Sequence, residues 1–379
     1  MSGVPKKPYV EAADFVRAAT VVPMISVHTT WYMANGGHWV GSGAALALLH
    51  YTRESFMALT GFVLTYSLFG KSIAWVPVLW RRYRLVLFPY LLWSAAYMLI
   101  FRHFTSPLEF LQHYGRNLLD GGAWFHLYYL LVTMQFYLLL PLYLALMRVA
   151  KRHPWVVFSL AATFQLLLMA YDQYGIGHRR GLNAYTGEEV WSYTFYFVAG
   201  GLGALFWRET AVWLNQRFRL VLFGALAAAA LMIAQFFAQT FLGHHMAKAD
   251  AVLQPAMVPW AFAVIVLLAA IGVRYEERRR RGTDRCPLIK IFANLSFGMY
   301  LVHPMLLQWW TDLLARLHWY HPSVWLDGIT MVLLVSASTL AAWAISRTPV
   351  SPWIIGRAAL PPGVGKEIRR PRVKKRTAD

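Results

Sequence analysis

Acidic residues are scarce in this chain and cysteine is all but missing. Among 379 residues there are 17 Asp and Glu against 36 Lys and Arg, and the one cysteine is Cys286. A single cysteine excludes an internal disulfide framework and a metal site built on several thiolates. Cys286 sits beside Arg285 with no histidine flanking it, so it reads as a surface thiol rather than a nucleophile. No His, Cys, Asp and Glu cluster stands at metal-ligand spacing, and no metal is expected. Charged residues of both signs make up only 14% of the chain and 58% is hydrophobic, which excludes a water-soluble globule of ordinary composition. No stretch is left over for a soluble domain.

What fills the chain instead is a series of apolar windows of about 20 residues, each the length needed to cross a hydrocarbon core of about 30 Å. They predict an all-α, polytopic integral membrane protein with about ten transmembrane helices, at 15–33, 44–69, 85–101, 124–148, 155–171, 191–207, 219–242, 251–273, 291–313 and 325–346. The first window lacks a small-residue cleavage site and is longer than a signal-peptide core, so it is expected to stay in the mature protein. Residues 1–346 form one membrane domain on this reading, and 347–379 a basic cytoplasmic tail.

Lys and Arg divide unevenly between alternate loops. Of the 36, 28 lie at the N-terminus, in the loops after spans two, four, six and eight, or in the tail; six lie on the other side; Arg17 and Arg53 lie within spans. Cytoplasmic loops accumulate these residues, which places both termini in the cytoplasm and the protein in the cell membrane as a multi-pass chain. The formal charge of +19, with "RRRR" at 278–281 and "RRPRVKKR" at 369–376, suits an anionic leaflet and needs no nucleic acid as partner.

Ionisable residues inside such spans are expensive and therefore functional candidates. In "DFVRAATVVPMISVH", Arg17 and His28 stand eleven positions apart, which returns a helix to nearly the same face about 16 Å further along its axis. An arginine at the cytoplasmic edge suits a phosphate, and a histidine farther out on the stripe suits a general base. Asp14, one turn before Arg17, is its expected ion-pair partner. "HYTRESFMALTGF" places His50, Arg53 and Glu54 at i, i+3 and i+4, either to orient His28 or to neutralise one another as a lock on the bundle. "WRRYRLVLFPY" puts Arg81 and Arg84 on one face at the cytoplasmic entry of the third span, suited to clamping phosphates as well as to setting topology.

"AWFHLYYLLVTMQFYLLLPLY" offers His126, Tyr129 and Gln135 as polar lining, and "NLSFGMYLVHP" sets Ser296, Tyr300 and His303 on a single stripe, for hydrogen bonding in the bundle or for substrate contact. The loop "GHRRGLNAYTGEEVW", 177–191, reads as solvated. "AGGLGALF", 199–206, lies inside a span and reads as close helix packing, not as a phosphate loop.

Together these motifs resemble membrane acyltransferase family three, the integral-membrane O-acyltransferases that modify surface carbohydrates. The resemblance rests on Arg17 with His28, on Arg81 with Arg84, on "LSFGMYLVHP" and on the tryptophan-bearing "AWFHLYYLLVTMQFYLLLPL". It implies ten helices, an acyl-CoA donor bound from the cytoplasm, and transfer to an extracytoplasmic carbohydrate or glycolipid. By that resemblance Arg17, Arg81 and Arg84 would contact donor phosphates, His28 would assist transfer, and Tyr300 and His303 match the family's segment. From their depth in the second span, Glu54 is expected to act with His28 in catalysis, and Arg53, with Tyr300 and His303, to contact the substrate or support the site. The chain departs from the family in reading "RESFMALTGF" where an apolar run is usual, which makes the second span unusually charged. Any handover to an esterase-like domain is expected to need a separate protein.

Two functional classes therefore stand. One is an O-acyltransferase, simplest as an acetyltransferase, working by direct transfer because no Ser or Cys has a nucleophile's arrangement. The other is a transporter or flippase for a polysaccharide or lipid-linked sugar, its aromatics stacking on sugar faces. Arginines beneath a buried histidine separate them, since a neutral-sugar path has no need of phosphate clamps.

Overall fold

A computed structural model describes residues 7–34, 38–174, 187–282 and 286–357. Among these residues the secondary structure is helical throughout, with no strand. The long helices are α1 (Glu11–Met33), α2 (Val40–Leu49), α3 (Thr52–Leu68), α4 (Trp75–Phe101), α5 (Pro107–Asp120), α6 (Tyr128–Leu138), α7 (Leu140–Arg152) and α8 (Pro154–Tyr174). They continue as α9 (Thr194–Leu205), α10 (Trp207–Gln216), α11 (Phe218–Phe241), the short α12 (Met246–Ala249), α13 (Met257–Arg280), α14 (Pro287–Arg316), α15 (Val324–Ser346) and the short α16 (Ser351–Ile354). Helices satisfy their backbone groups within the segment, which is what an apolar surrounding demands.

Every one of the ten expected spans falls on helix, but the elements are more divided than the apolar windows imply. Among the described residues five helices, α4, α8, α11, α13 and α15, are long and apolar enough to cross a membrane, and six are if α6 and α7 count as one span bent by 65°. The expected second span divides at His50 and Tyr51 into α2 and α3. Helices α3 and α9 have 17 and 12 residues, roughly 26 and 18 Å of helix, which is short of a core of about 30 Å. Helix α1 carries Glu11, Asp14 and Arg17 in its first two turns, where the acidic pair also complements the helix dipole.

Some boundaries follow from local chemistry. Ser106 caps α5 by accepting the Glu109 N–H at 3.2 Å, Glu109 reaches back to the Thr105 N–H at 2.7 Å, and Pro107 opens the first turn. Ser323 caps α15 by accepting the Leu326 N–H at 3.1 Å.

Helices α1, α14 and α15 pack together around Val21, Ile25, Met299 and Leu334. Helices α4, α6 and α14 pack around Tyr97, Leu130 and Leu301. A larger cluster joins α3, α7, α9 and α13. Within it α3 and α9 cross at backbone contact: a Cβ on Gly61 would lie 2.1 Å from the Phe197 carbonyl oxygen, and one on Gly200 would lie 1.8 Å from that of Ala58. The glycine run at 199–206 is thus a packing surface, as expected. Tyr143 closes the crossing, with its hydroxyl 2.8 Å from Thr65 Oγ1 and donating to the carbonyls of Gly61 and Phe197 at 3.2 and 3.3 Å.

Candidate functional site

Where α1, the start of α3, the turn before α6 and the middle of α14 converge, they leave a cavity of about 210 Å³. Its walls carry His28 from α1, His50, Thr52 and Arg53 around the α2–α3 break, Phe125, His126, Tyr128 and Tyr129, and Tyr300 from α14. This is where the break in the second span matters. It turns His50 and Arg53 toward one space, and His50 Nδ1 bonds the Asp250 carbonyl at 2.9 Å.

His28 stacks on His303, with ring centroids 5.2 Å apart, and packs on Phe125 at 4.8 Å. Its ring makes no hydrogen bond to any described residue. His303 itself is fully buried behind the wall, and its Nδ1 faces the Met299 carbonyl at 3.1 Å. A carbonyl only accepts, so Nδ1 carries the hydrogen and Nε2 is left as the lone-pair nitrogen, without a partner. The Arg53 guanidinium donates to the Tyr128 hydroxyl and lies over the Tyr128 ring.

Glu54 is 1% exposed, does not line the cavity, and has no hydrogen-bond partner for Oε2. Among the described residues no ion pair joins it to Arg53. Consecutive helix positions point about 100° apart, so the two side chains leave α3 in different directions and do not meet in direct contact. Buried polar groups are nearly always hydrogen-bonded. Around this one cavity, however, Glu54 Oε2, the Tyr129 hydroxyl, His303 Nε2 and both ring nitrogens of His126 have no partner.

The remaining polar candidates have structural duties. Gln135 lies off the cavity and pins the 188–190 segment, donating to the Glu188 carbonyl at 3.1 Å and accepting the Val190 N–H at 2.8 Å. Ser296 bonds the Ala293 carbonyl at 3.2 Å, one turn back on its own helix. Tyr300 lines the cavity and donates to the His126 carbonyl. Cys286 is exposed at the start of α14. Residues 177–186 of the outer loop and the tail from 358 lie outside the described residues.

Arg17 lies away from the cavity, nearer the start of α1, with its side chain 32% exposed and 3.5 Å from Asp14. Asp14 also accepts the Tyr9 hydroxyl at 2.5 Å; burial and this bond push the Tyr9 phenol up. Arg81 and Arg84 are exposed on the first half of α4. Arg82 between them turns inward to donate to Ser67 Oγ at 3.1 Å.

Sequence reading also passes over Arg357. Gly356, at φ +60°, sits against the Leu85 carbonyl, where a Cβ would come within 2.2 Å. This carries Arg357 to α14, where it donates to the Asn294 carbonyl and, at 3.0 Å, to Asn294 Oδ1. Burial and the nearby Arg17 hold its guanidinium below the usual arginine range. Arg17, Arg84 and Arg357 therefore share one end of the bundle, the end at which α1 begins.

The arrangement is a small, mostly aromatic chamber with three imidazoles and a guanidinium on its walls, and arginines beyond one end of its helices. Such a chamber can abstract and return protons and stabilise a developing negative charge. No curated protein and no solved structure matches the chain. The model of acyltransferase family 3, described as an acyltransferase domain, matches residues 10–347, which include every wall of the cavity. With His28, Arg53 and Tyr300 drawn together inside that span, the chain belongs to acyltransferase family 3 and is a membrane acyltransferase.

Proposed function

We propose that this protein moves an acyl group, acetyl in the simplest case, from cytoplasmic acyl-CoA to a hydroxyl of an extracytoplasmic glycan or glycolipid, in the cell membrane and with both termini cytoplasmic. The observation that carries this reading is that two residues lining the His28 cavity, His126 and Tyr129, hold buried polar atoms without partners. Leaving such groups unpaired costs about 1–3 kcal/mol each. A polar substrate in the cavity relieves that cost, and a chamber meant only for packing has no reason to hold them.

In this reading Arg17, Arg81 and Arg84 bind the donor's phosphates at the cytoplasmic edge, and the thioester end reaches outward to the cavity. The acceptor hydroxyl gives its proton to His28 as its oxygen attacks the thioester carbonyl. Arg53, held by Tyr128, lies beside the charge that develops on the carbonyl oxygen. The carbon–sulfur bond then breaks and the thiol is released on the donor side. His303 sets the orientation of His28 through ring stacking, Tyr300 holds the turn that carries His126, and Glu54 supports the cavity from behind.

The test is transfer of label from radioactive acetyl-CoA by the purified protein in liposomes that enclose an envelope glycan fraction. The expected result is labelled glycan. Movement of glycan across the liposome membrane with no labelled product supports a transporter instead.

A further inference from the structure

Four histidines gather at or behind the cavity, and three of them are constrained in ways that the fourth is not. His50 is tied through Nδ1 to the Asp250 carbonyl, His303 is tied to Met299 and lies behind the wall, and His28 is stacked on His303. His126 is 3% exposed, lines the cavity, and has no partner for either ring nitrogen. Aromatic packing nevertheless fixes the orientation of its ring. Tyr97 and Tyr300 meet it edge-on at 5.2 and 5.0 Å, His303 does so at 5.8 Å, and Phe125 packs at 5.6 Å. Its backbone is held by the Tyr300 hydroxyl, and the preceding Trp124 stacks on Tyr97 at 5.2 Å. A ring locked by packing alone keeps its hydrogen-bonding atoms for something that enters the cavity.

We propose that His126 is a second catalytic residue, donating a proton to the leaving sulfur while His28 removes one from the acceptor hydroxyl. This rests on the acyl-transfer reading above. The step begins with His28 and His126 both neutral. The hydroxyl O–H bond breaks toward His28, the new C–O bond forms, the C–S bond breaks, and the sulfur takes a proton from one ring nitrogen of His126 while the other nitrogen receives the proton held by His28. The products are an ester and a free thiol, with both imidazoles neutral again and no outside reagent. A thiol has a reference pKa of about 8.5 and an imidazolium about 6.5, so the proton moves downhill to the thiolate. The titratable and charged groups around His126 and the cavity it lines are His28 from α1, His50 from the α2–α3 break, Arg53 from α3, Tyr97 from α4, Tyr128 and Tyr129 from α6, and Tyr300 and His303 from α14.

The experiment compares the parent, His126→Gln and His126→Ala at equal, monodisperse amounts in liposomes, with acetyl-CoA as donor and the envelope glycan fraction as acceptor. Glutamine keeps hydrogen-bonding capacity but moves no proton. The expected result is a kcat about 100-fold lower for His126→Gln, the low end for acid–base catalysis. Its KM for acetyl-CoA stays within about threefold. Added imidazole restores part of the rate of His126→Ala. A His126→Gln rate equal to the parent's, or an alanine variant whose rate imidazole leaves unchanged, overturns the role of His126 while leaving acyl transfer intact. A parent that labels no glycan removes the acyl-transfer reading and this role with it.

Discussion

Gly200→Ala should unfold this protein more readily than any single methyl group ordinarily does. The added Cβ would sit 1.8 Å from the Ala58 carbonyl oxygen and 2.6 Å from its carbonyl carbon, whereas ordinary contact begins at 3.4 Å. Both obstacles are backbone, so no side chain can swing away and α9 must retreat from α3 by roughly one and a half ångström. That movement loosens a core in which Phe136 and Phe197 stack at 3.9 Å and the Tyr143 hydroxyl bridges the two helices. Overpacking typically costs about 1–3 kcal/mol, and a backbone-on-backbone clash belongs at or above the upper end. Replacing glycine by alanine within a helix returns about 1 kcal/mol. The net loss is therefore about 2 kcal/mol or more, a fall in Tm of at least about 4 °C. The assay is thermal unfolding of the purified protein in detergent, followed by tryptophan fluorescence. Gly224→Ala in α11 is the control, because nothing lies within 4 Å of a Cβ there, and it should melt at or slightly above the parent. A Gly200→Ala melting point within a degree of the parent's would refute the close crossing of α3 and α9.

Other perturbations act on the proposed donor and acceptor sites. Arg81→Ala and Arg84→Ala should each weaken acetyl-CoA binding about three- to tenfold by titration in detergent, since exposed cations contribute modestly, while Arg82→Ala should lower thermal stability through its lost bond to Ser67; unchanged affinity in both outer variants reduces them to a topology signal. Arg17→Lys should bind acetyl-CoA more weakly although its charge is kept, because an ammonium does not reproduce the planar fork of a guanidinium. Asp14→Asn separates donor clamping from helix anchoring: a clamp keeps most of its affinity when Asp14 is neutralised, and an anchor does not. Arg53→Lys should lower kcat at least tenfold at unchanged abundance, because the shorter reach of its single nitrogen cannot serve Tyr128 and the cavity together; a parent-like kcat removes Arg53 from charge stabilisation.

The helices were legible because an apolar window has only one satisfactory backbone, yet their breaks were not. Hydrophobicity runs on through Leu139, so nothing local announces the 65° bend between α6 and α7, while the polar run His50–Glu54 that marks the division of α2 from α3 reads equally as buried charge within one span. His28, Arg53 and Tyr300 stood out as polar residues in apolar surroundings, and the structure brings them to one cavity. His126 was visible only as lining, because its place in the site lies in contacts from the distant helices α4 and α14 and in bonds it does not make. His50 reaches a carbonyl 200 residues away, and Arg357 reaches Asn294 only because Gly356 folds onto Leu85; neither pairing leaves a mark at helical spacing. Glu54 was placed beside His28 from its depth in the second span, but depth does not give direction, and its carboxylate leaves α3 away from the cavity.

His28→Gln tests the central claim most directly. Purified variant and parent, matched in amount and in thermal stability, are reconstituted in liposomes with enclosed envelope glycan and given radioactive acetyl-CoA outside. The cavity account predicts labelled glycan from the parent and at least a 100-fold lower rate from the variant, with acetyl-CoA affinity within about threefold of the parent's. A variant that labels glycan at the parent's rate contradicts it and moves the chemistry away from the His28 cavity.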